Sequence, residues 1–515
     1  MQLSQKRIFS LLFFLFSAPL FAQERGLDER INEAFTPIAN WWGAVVLHNF
    51  PGTEIPTIIF LLVGGALFFT VYFGFINIKR FPTAVNTVRG KYDEVDDHGG
   101  EGEDGEVSHF QALATAVSGT VGNGNIAGVA LAIAVGGPGA TFWMILCGLI
   151  GMSTKFVECT LGVKYRDVGE DGTVYGGPMY YLTKGLEERG FARLGKTLAV
   201  IFAVLCIGAS FGGGNAAQSN QAAMQLVEAF GMTGGSARTI IGVIMMVLVG
   251  VIIIGGIKRI ASVTEKVVPF MALMYILACL YIIGTNITFV DDAFGMIFSQ
   301  AFNPQAGLGG LLGVLITGFR RAAFSNEAGA GSASIAHSAV KTKYAASEGL
   351  VALLEPFIDT VVICTLTALV IIIFNGDNTV FQYGGEGGIV TIAGQQVEGA
   401  GITAAAFSKY ISFSGPFLTI AVVLFAISTM ISWSYYGPQS WMYVFGKSKL
   451  SDLTYKIIFL LFIVIGAAGD MSAVWTFSDA MILALVFPNM IGLFFLFPKV
   501  KEELNRYLAA IGTTK

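Results

Sequence analysis

Apolar residues in this chain come in long runs, without the alternation of a half-buried strand or the one-sided stripe of a soluble helix. After residue 52, eleven runs are long enough to cross a hydrocarbon core of about 30 Å, which takes about 20 residues of helix. They cover approximately 53–76, 110–136, 140–163, 197–230, 236–257, 262–284, 307–338, 347–374, 414–437, 454–471 and 474–497. The pattern predicts an all-α polytopic membrane protein with eleven transmembrane helices. Two runs are interrupted: the second carries GTVGNGN at its middle, and the seventh carries FSNEAGAGSASIAHS. Their starts lie five segments apart. Residues 110–284 and 307–498 therefore read as two five-helix units behind one peripheral helix, 53–76. An odd number of helices inserts the two units with opposite orientation, giving an inverted repeat whose first helix is broken in each half, an arrangement of secondary transporters.

Orientation follows from the basic residues of the short connections. Lys79 and Arg80, Lys164 and Arg166, Lys258 and Arg259, Lys341 and Lys343, Lys447 and Lys449, and Lys499 and Lys501 follow every second segment, which places those connections in the cytoplasm. The mature chain is expected to start outside and to end inside, with 499–515 as a cytoplasmic tail. At the N-terminus, Lys6 and Arg7 precede a short apolar run and small residues up to Ala22. Residues 1–22 read as a secretory signal peptide, or else as an uncleaved anchor helix, and both place 23–52 outside. The stretch KYDEVDDHGGEGEDGE, 91–106, is acidic on the expected cytoplasmic side and has almost nothing to bury. It reads as a disordered, solvated insertion.

Composition sharpens the class. Of 515 residues 54% are hydrophobic and 13% charged, with a mean hydropathy of +0.68, as expected for a chain whose solvent is lipid. The 64 glycines suit close helix packing and local helix breaks. A net charge of −4 gives no reason to expect a nucleic-acid partner. Cys147, Cys159, Cys206, Cys279 and Cys364 fall inside apolar runs and read as small core residues, with neither disulfide nor metal spacing.

The polar residues inside the runs carry the candidate chemistry, because a polar group facing lipid is costly. Gly122 and Gly124 weaken the helix, and Asn123 and Asn125 add amides; a broken segment there exposes N–H groups for a carboxylate and carbonyls for a cation. Gly124 and Gly128 alternatively form a packing face. In the seventh segment Gly329 and Gly331 flank a second break, with Ser325, Asn326, Glu327, Ser332 and Ser334 as donors and acceptors. Glu327 is either a proton or sodium ligand or the partner of Arg320 or Arg321, the ion pair being the favoured reading. His337 reads as a capping or packing residue. Asn215, Gln218 and Gln221 recur at helical spacing and should face a cavity. Ser428 and Thr429, near Ser432 and Trp433, could complete an oxygen cage or bond to their own helix. Glu355 and Asp359, one turn apart around Pro356, form either a proton path or a kink with capping groups.

Two patterns point to enzymes. GFARLGKT, 190–197, fits G-x-x-x-x-G-K-T but follows a charged, helix-like stretch instead of a strand. GASFG, 208–212, fits G-x-S-x-G without a strand–turn–helix context. Neither supports an enzyme.

GPGATFWMILCGLIGMSTKFVECTLGVKYR (137–166), YGGPMYYL (175–182), FSNEAGAGSASIAH (324–337) and FIDTVVICTLTALVI (357–371) resemble the alanine or glycine:cation symporter family. The resemblance runs from about residue 50 to 498. It implies membership of the amino acid–polyamine–cation superfamily, a leucine-transporter type of fold, a bacterial plasma (inner) membrane location, and sodium-coupled or occasionally proton-coupled movement of small neutral amino acids such as alanine and glycine. No cofactor is implied beyond Na+ as coupling ion. By this resemblance Gly122, Asn123, Gly124, Asn125 and Gln218, with Ser325 and Asn326, contact the amino acid. Phe319 or Phe324 and Trp433 limit its side chain. The Ser118 and Val121 carbonyls hold the cation with Ser428 and Thr429. Two positions depart from the family pattern: Ala322, where Gly is common, and Glu355, where an apolar residue is common.

Overall fold

The computed structural model describes residues 27–53, 55–96, 105–170, 172–254, 256–302, 310–376 and 378–512. The expected signal peptide, 1–22, lies outside them, as do residues 97–104 of the acidic stretch.

Each of the eleven apolar runs falls on a helix or a broken helix. Helix α1, Leu27–Val46, precedes α2, Thr57–Tyr72. The second run is α3, His109–Thr120, then a π-helical turn, Gly124–Gly128, continuing as α4, Val129–Gly136. The two pieces are bent by 51° across the break. A capping box starts α3: the Ser108 hydroxyl accepts from Gln111 N, and the Gln111 side chain accepts from Ser108 N, satisfying two N-terminal donors. Helix α5, Gly139–Lys164, follows, then a hairpin of β1, Asp167–Val168, and β2, Val174–Tyr175. The fourth run is α6, Ala192–Phe211, joined through a π-helical turn at Gly212–Ala216 to α7, Ala217–Ala229. Helices α8, Ala237–Ile253, α9, Gly256–Thr285, and α10, Val290–Phe302, complete the first half.

The second half opens on α11, Gly310–Asn326, which stops at a break and resumes as the short α12, Ser334–His337. Helix α13, Ala345–Val351, passes through a π-helical turn, Phe357–Cys364, into α14, Thr365–Asn375. A small hairpin, β3 Val390–Ile392 and β4 Gln395–Val397, leads to α15, Ala400–Tyr410. The chain closes with α16, Ser414–Phe445, α17, Lys449–Ala468, α18, Met471–Ala484, and α19, Val486–Ala510.

Among the described residues seven helices are long and apolar enough to cross a membrane, eight if the bent pair is one span. Burial is inverted relative to a soluble protein. Ile240, Val243, Ile244, Val247, Leu248 and Val251 of α8 are exposed, whereas Asn123, Asn125, Lys155, Glu158, Glu348, Glu355 and Asp359 are at 0% exposure. Apolar surface outside and polar groups inside are what lipid as a solvent requires. All five cysteines are buried as thiols, matching the core role expected of them.

The acidic stretch is not disordered throughout. Residues 93–96 form a helical turn, and Val107 bridges Val340 in parallel. Glu106 N donates to Ala339 O at 2.7 Å, and Lys341 N to Val107 O at 2.8 Å. The last residues of the expected insertion are therefore built into the fold. GFARLGKT starts α6 after a turn, and GASFG ends α6; neither has the strand that its enzyme pattern requires.

Candidate functional site

The two breaks meet at the centre of the bundle. In the first, Asn123 N donates to Gln218 Oε1 at 2.9 Å, and Asn123 Nδ2 donates to Gln218 O at 3.2 Å. Gly122 N donates to Asn125 Oδ1 at 2.9 Å. Unwound backbone is thus satisfied by side-chain amides, as a water-poor interior demands. Gly122 has no room for a side chain, because an added Cβ would lie 2.4 Å from Thr429 Oγ1 and 3.0 Å from Gln218 Oε1.

The second break is held by a different set. Glu327 takes a left-handed φ of 55°, a conformation that costs a non-glycine residue about 1–3 kcal/mol. Ser332 donates to its Oε2, and Trp433 Nε1 to its Oε1 at 3.1 Å. Asn326 spans the turn: its Oδ1 accepts from Ala328 N at 2.9 Å, and its Nδ2 donates to Thr360 Oγ1 at 2.8 Å. Gly331 has φ 84°, and an added Cβ would meet Asn489 and Pro178 at 2.9 Å. Glu158 Oε1 accepts from Gly329 N at 2.9 Å and from Asn489 Nδ2 at 2.7 Å, and Asn489 also donates to Gly329 O.

Asp359 ties the breaks together. Its Oδ1 accepts from Asn125 Nδ2 at 2.7 Å and from Ser325 Oγ at 3.0 Å, and its Oδ2 accepts from Thr360 Oγ1 at 2.6 Å. Asp359 lies in the π-helical turn that directly follows Pro356. Glu355, one turn away, serves another partner, the Lys155 ammonium at 3.1 Å.

The expected cation residues also converge. Ser118 Oγ donates to Ser428 O at 2.8 Å, joining α3 to α16 next to Val121, the C-cap of α3. Ser428 Oγ donates to Phe425 O within its own helix at 3.0 Å. Thr429 Oγ1 is buried and makes no hydrogen bond among the described residues. A cluster of hydroxyl and carbonyl oxygens suits a hard cation, and no grouping of three or more His, Cys, Asp or Glu that could hold a metal ion occurs among the described residues.

Aromatic rings close the space around the first break. An added Cβ on Gly124 would meet Phe324 at 3.5 Å, one on Gly128 would meet Trp475 at 3.4 Å, and one on Gly214 would meet Trp433 at 2.2 Å. Phe324 and Trp475 lie 5.0 Å apart, beneath the Arg321 guanidinium. Helix α15 covers this side: Thr403 Oγ1 donates to Ile126 O at 3.2 Å, and Ala400 N to Gln221 Oε1 at 3.1 Å.

Several expectations are corrected. Glu327 is not paired with Arg320 or Arg321; both arginines share Asp479 of α18, Arg320 at 2.8 Å. Phe319 packs against Trp143 of α5, which leaves Phe324 as the ring at the break. The amide stripe on α6–α7 does not face one cavity. Asn215 donates to Phe459 O on α17, Gln218 faces the break, and Gln221 reaches α15. His337 bonds to Glu348 at 2.5 Å, beyond a capping role. Lys155, Glu158, Asp479, Asn489 and Trp475 join the residues expected from the sequence, and the polar ones, lying inside apolar runs, carry the same signal that singles out Asn123.

A helical bundle with lipid-type burial and two broken helices meeting at a polar centre defines a multi-pass membrane transporter. The profile of the sodium:alanine symporter family matches residues 43–515, and the chain belongs to that family. It is 41% identical over 454 residues, 88% of this chain and 94% of the relative, to the sodium/alanine symporter AgcS of Methanococcus maripaludis. It is 34% identical over 452 residues, 87% of each chain, to the probable sodium/glutamine symporter GlnT of Bacillus subtilis. Similarity also extends to the putative sodium/proton-dependent alanine carrier protein YrbD of Bacillus subtilis, at 35% over 457 residues, 87% of this chain and 89% of that one. Among solved structures, a manganese transporter mutant of Eremococcus coleocola is similar in fold, with a TM-score of 0.50 at 14% identity over 79% of this chain and 84% of that one.

Proposed function

We propose that the protein is a secondary active transporter that carries alanine, glycine or a similarly small neutral amino acid into the cell together with sodium, by alternating access. In this reading eleven helices span the bacterial inner membrane, five plus five of them in inverted repeats behind α2, with the mature N-terminus outside and the C-terminus in the cytoplasm. Gly122, Asn123, Gly124, Asn125, Gln218, Ser325 and Asn326 contact the amino acid, and Phe324, Trp433 and Trp475 limit its side chain. Ser118, Val121, Ser428 and Thr429 hold sodium.

The observation that carries the reading is the Thr429 hydroxyl, buried and without a hydrogen-bond partner among the described residues, against the Gly122 backbone at the broken end of α3. A cation there would neutralise the carbonyl end of α3 and add positive charge beside the expected carboxylate, so ion and substrate would favour each other's binding. Membrane potential would add about 2.3 kcal/mol per charge per 100 mV.

Proteoliposomes under an inward sodium gradient are expected to accumulate labelled alanine. Equal uptake with potassium on both sides would overturn sodium coupling. A second reading, proton-coupled symport through Glu327 or Glu355, is favoured by the position of a carboxylate inside the break itself; uptake that follows a pH gradient and ignores sodium would support it.

A further inference from the structure

Away from the breaks, where the chain enters α3 and leaves α12, five titratable side chains form one continuous buried chain. Nδ1 of His109, the first residue of α3, meets one oxygen of Glu348 on α13. The other Glu348 oxygen meets Nδ1 of His337, the last residue of α12, at 2.5 Å. His337 Nε2 lies 3.5 Å from Glu355 Oε2, and Glu355 Oε1 lies 3.1 Å from the Lys155 ammonium. Four of the side chains are fully buried; His109 is 10% exposed and lines a cavity of about 360 Å³ with Asp93, Glu106 and Lys341.

The chain joins parts that must move. The entry to α3 and the exit from α12 are already one piece through the backbone pairing of 106–107 with 339–341. Arg166 holds that piece by the carbonyls of Ser338 and Val340, and carbonyls do not titrate. Glu348 differs, because a single carboxylate takes an imidazole from each half-helix, and imidazoles change charge near neutral pH. Glu348 and Glu355 against Lys155 leave one negative charge in excess when both carboxylates are ionised; Glu158 and Glu327 also face Lys155. Tyr436 of α16 and Cys159 of α5 face the same cluster. A buried excess charge is costly. Protonating an imidazole supplies the missing positive charge and gives His337 a carboxylate at each nitrogen.

We propose that Glu348 is a positioning residue for transport: a proton-operated clamp, reached from water through His109, that fixes the joined α3 and α12 pieces against α13. Charged imidazoles close the clamp and neutral ones loosen it. The inference rests on the transport reading, in which this end of the bundle opens to the cytoplasm. It adds that acidity on that side holds the exit shut.

The test has two arms. Spin labels at Phe110→Cys and Lys499→Cys in lipid nanodiscs report the position of α3 without any transport. The distance distribution should be narrow near pH 6 and broaden towards pH 10, above the ordinary imidazole range because each imidazole faces a carboxylate, and Glu348→Gln should make it insensitive to pH. In proteoliposomes with external pH fixed, sodium-driven alanine uptake should rise several-fold as interior pH rises over the same range, and His109→Gln should flatten that rise; this cavity-lining variant carries the test if Glu348→Gln fails to fold. A pH-independent distance in the parent, or an unchanged pH response in both variants, overturns the clamp. Absence of alanine uptake with a pH-sensitive distance overturns the transport reading and leaves the clamp standing.

Discussion

The indole N–H of Trp433 donates to Glu327 Oε1 at 3.1 Å, tying the acidic residue of the second break to α16 across 106 positions of sequence. With Ser332 on the other oxygen, this bond holds Glu327 in its left-handed conformation. Trp433→Phe removes one donor from a buried carboxylate, a change worth about 1–3 kcal/mol. In the transport reading KM for the amino acid should rise by about fivefold or more at saturating sodium while the amount of folded protein changes little. Uptake kinetics beside a size-exclusion profile measure both. An unchanged KM would remove Trp433 from the site.

Thr429 offers a cleaner test, because its hydroxyl makes no protein hydrogen bond among the described residues. Thr429→Ala should leave the melting temperature without sodium close to that of the parent. Together with Ser428→Ala it should raise the sodium concentration for half-maximal uptake by about tenfold, the loss of roughly 1.4 kcal/mol of ion binding. Sodium titration of uptake, and of thermal stabilisation, gives the answer; unaltered sodium dependence would place the ion elsewhere.

Arg320 and Arg321 share the Asp479 carboxylate, so the group already carries more positive than negative charge. Asp479→Asn strands two guanidiniums, one of them buried, and should destabilise the fold by about 3–5 kcal/mol. Adding Arg321→Gln should recover part of the loss. Thermal unfolding in detergent of the single and double variants checks the sign; a double variant no more stable than the single would refute the charge argument.

Glu398, in the loop before α15, is held above the ordinary carboxylate value by burial and by the Asp470 carboxylate, against the lowering effect of Arg238. The folded state thus binds this proton more tightly than the unfolded chain. The stability it contributes is present below the unfolded value of about 4.3 and is lost as pH rises through the higher folded value. Glu398→Gln should therefore melt at a higher temperature than the parent at neutral pH and lose that advantage under acid conditions. A pH series of melting curves decides it.

What the sequence made legible was local. Gly122, Gly124, Gly329 and Gly331 are backbone signals, and they placed both breaks correctly because a glycine's effect on a helix needs no partner. Charge pairing was not legible. Arg320 and Glu327 looked like partners because they are close in sequence, yet α11 runs helical to Asn326 and the chain leaves the helix at Glu327, and the true partners, Asp479 and Trp433, come from α18 and α16. The amide stripe failed for a related reason: Asn215 lies in the π-helical turn Gly212–Ala216, whose wider turn takes it out of register with Gln218 and Gln221 on α7. Glu355 stands out as a departure from the family, but its partner Lys155 comes from the third apolar run, α5, 200 positions away.

The turn at Gly212–Ala216 bears on how such a chain can change its length. A lipid-embedded helix is a poor place for an insertion or deletion, since one residue rotates everything beyond it by about 100°. Here the extra residue is already accommodated, between rings that fill the space a Cβ would need. Related chains that differ by a single residue in the middle of this span would be expected to differ at this glycine run, trading a π turn for a regular one, and in doing so to turn the Ser210 face of α6 relative to Gln218 without touching a loop.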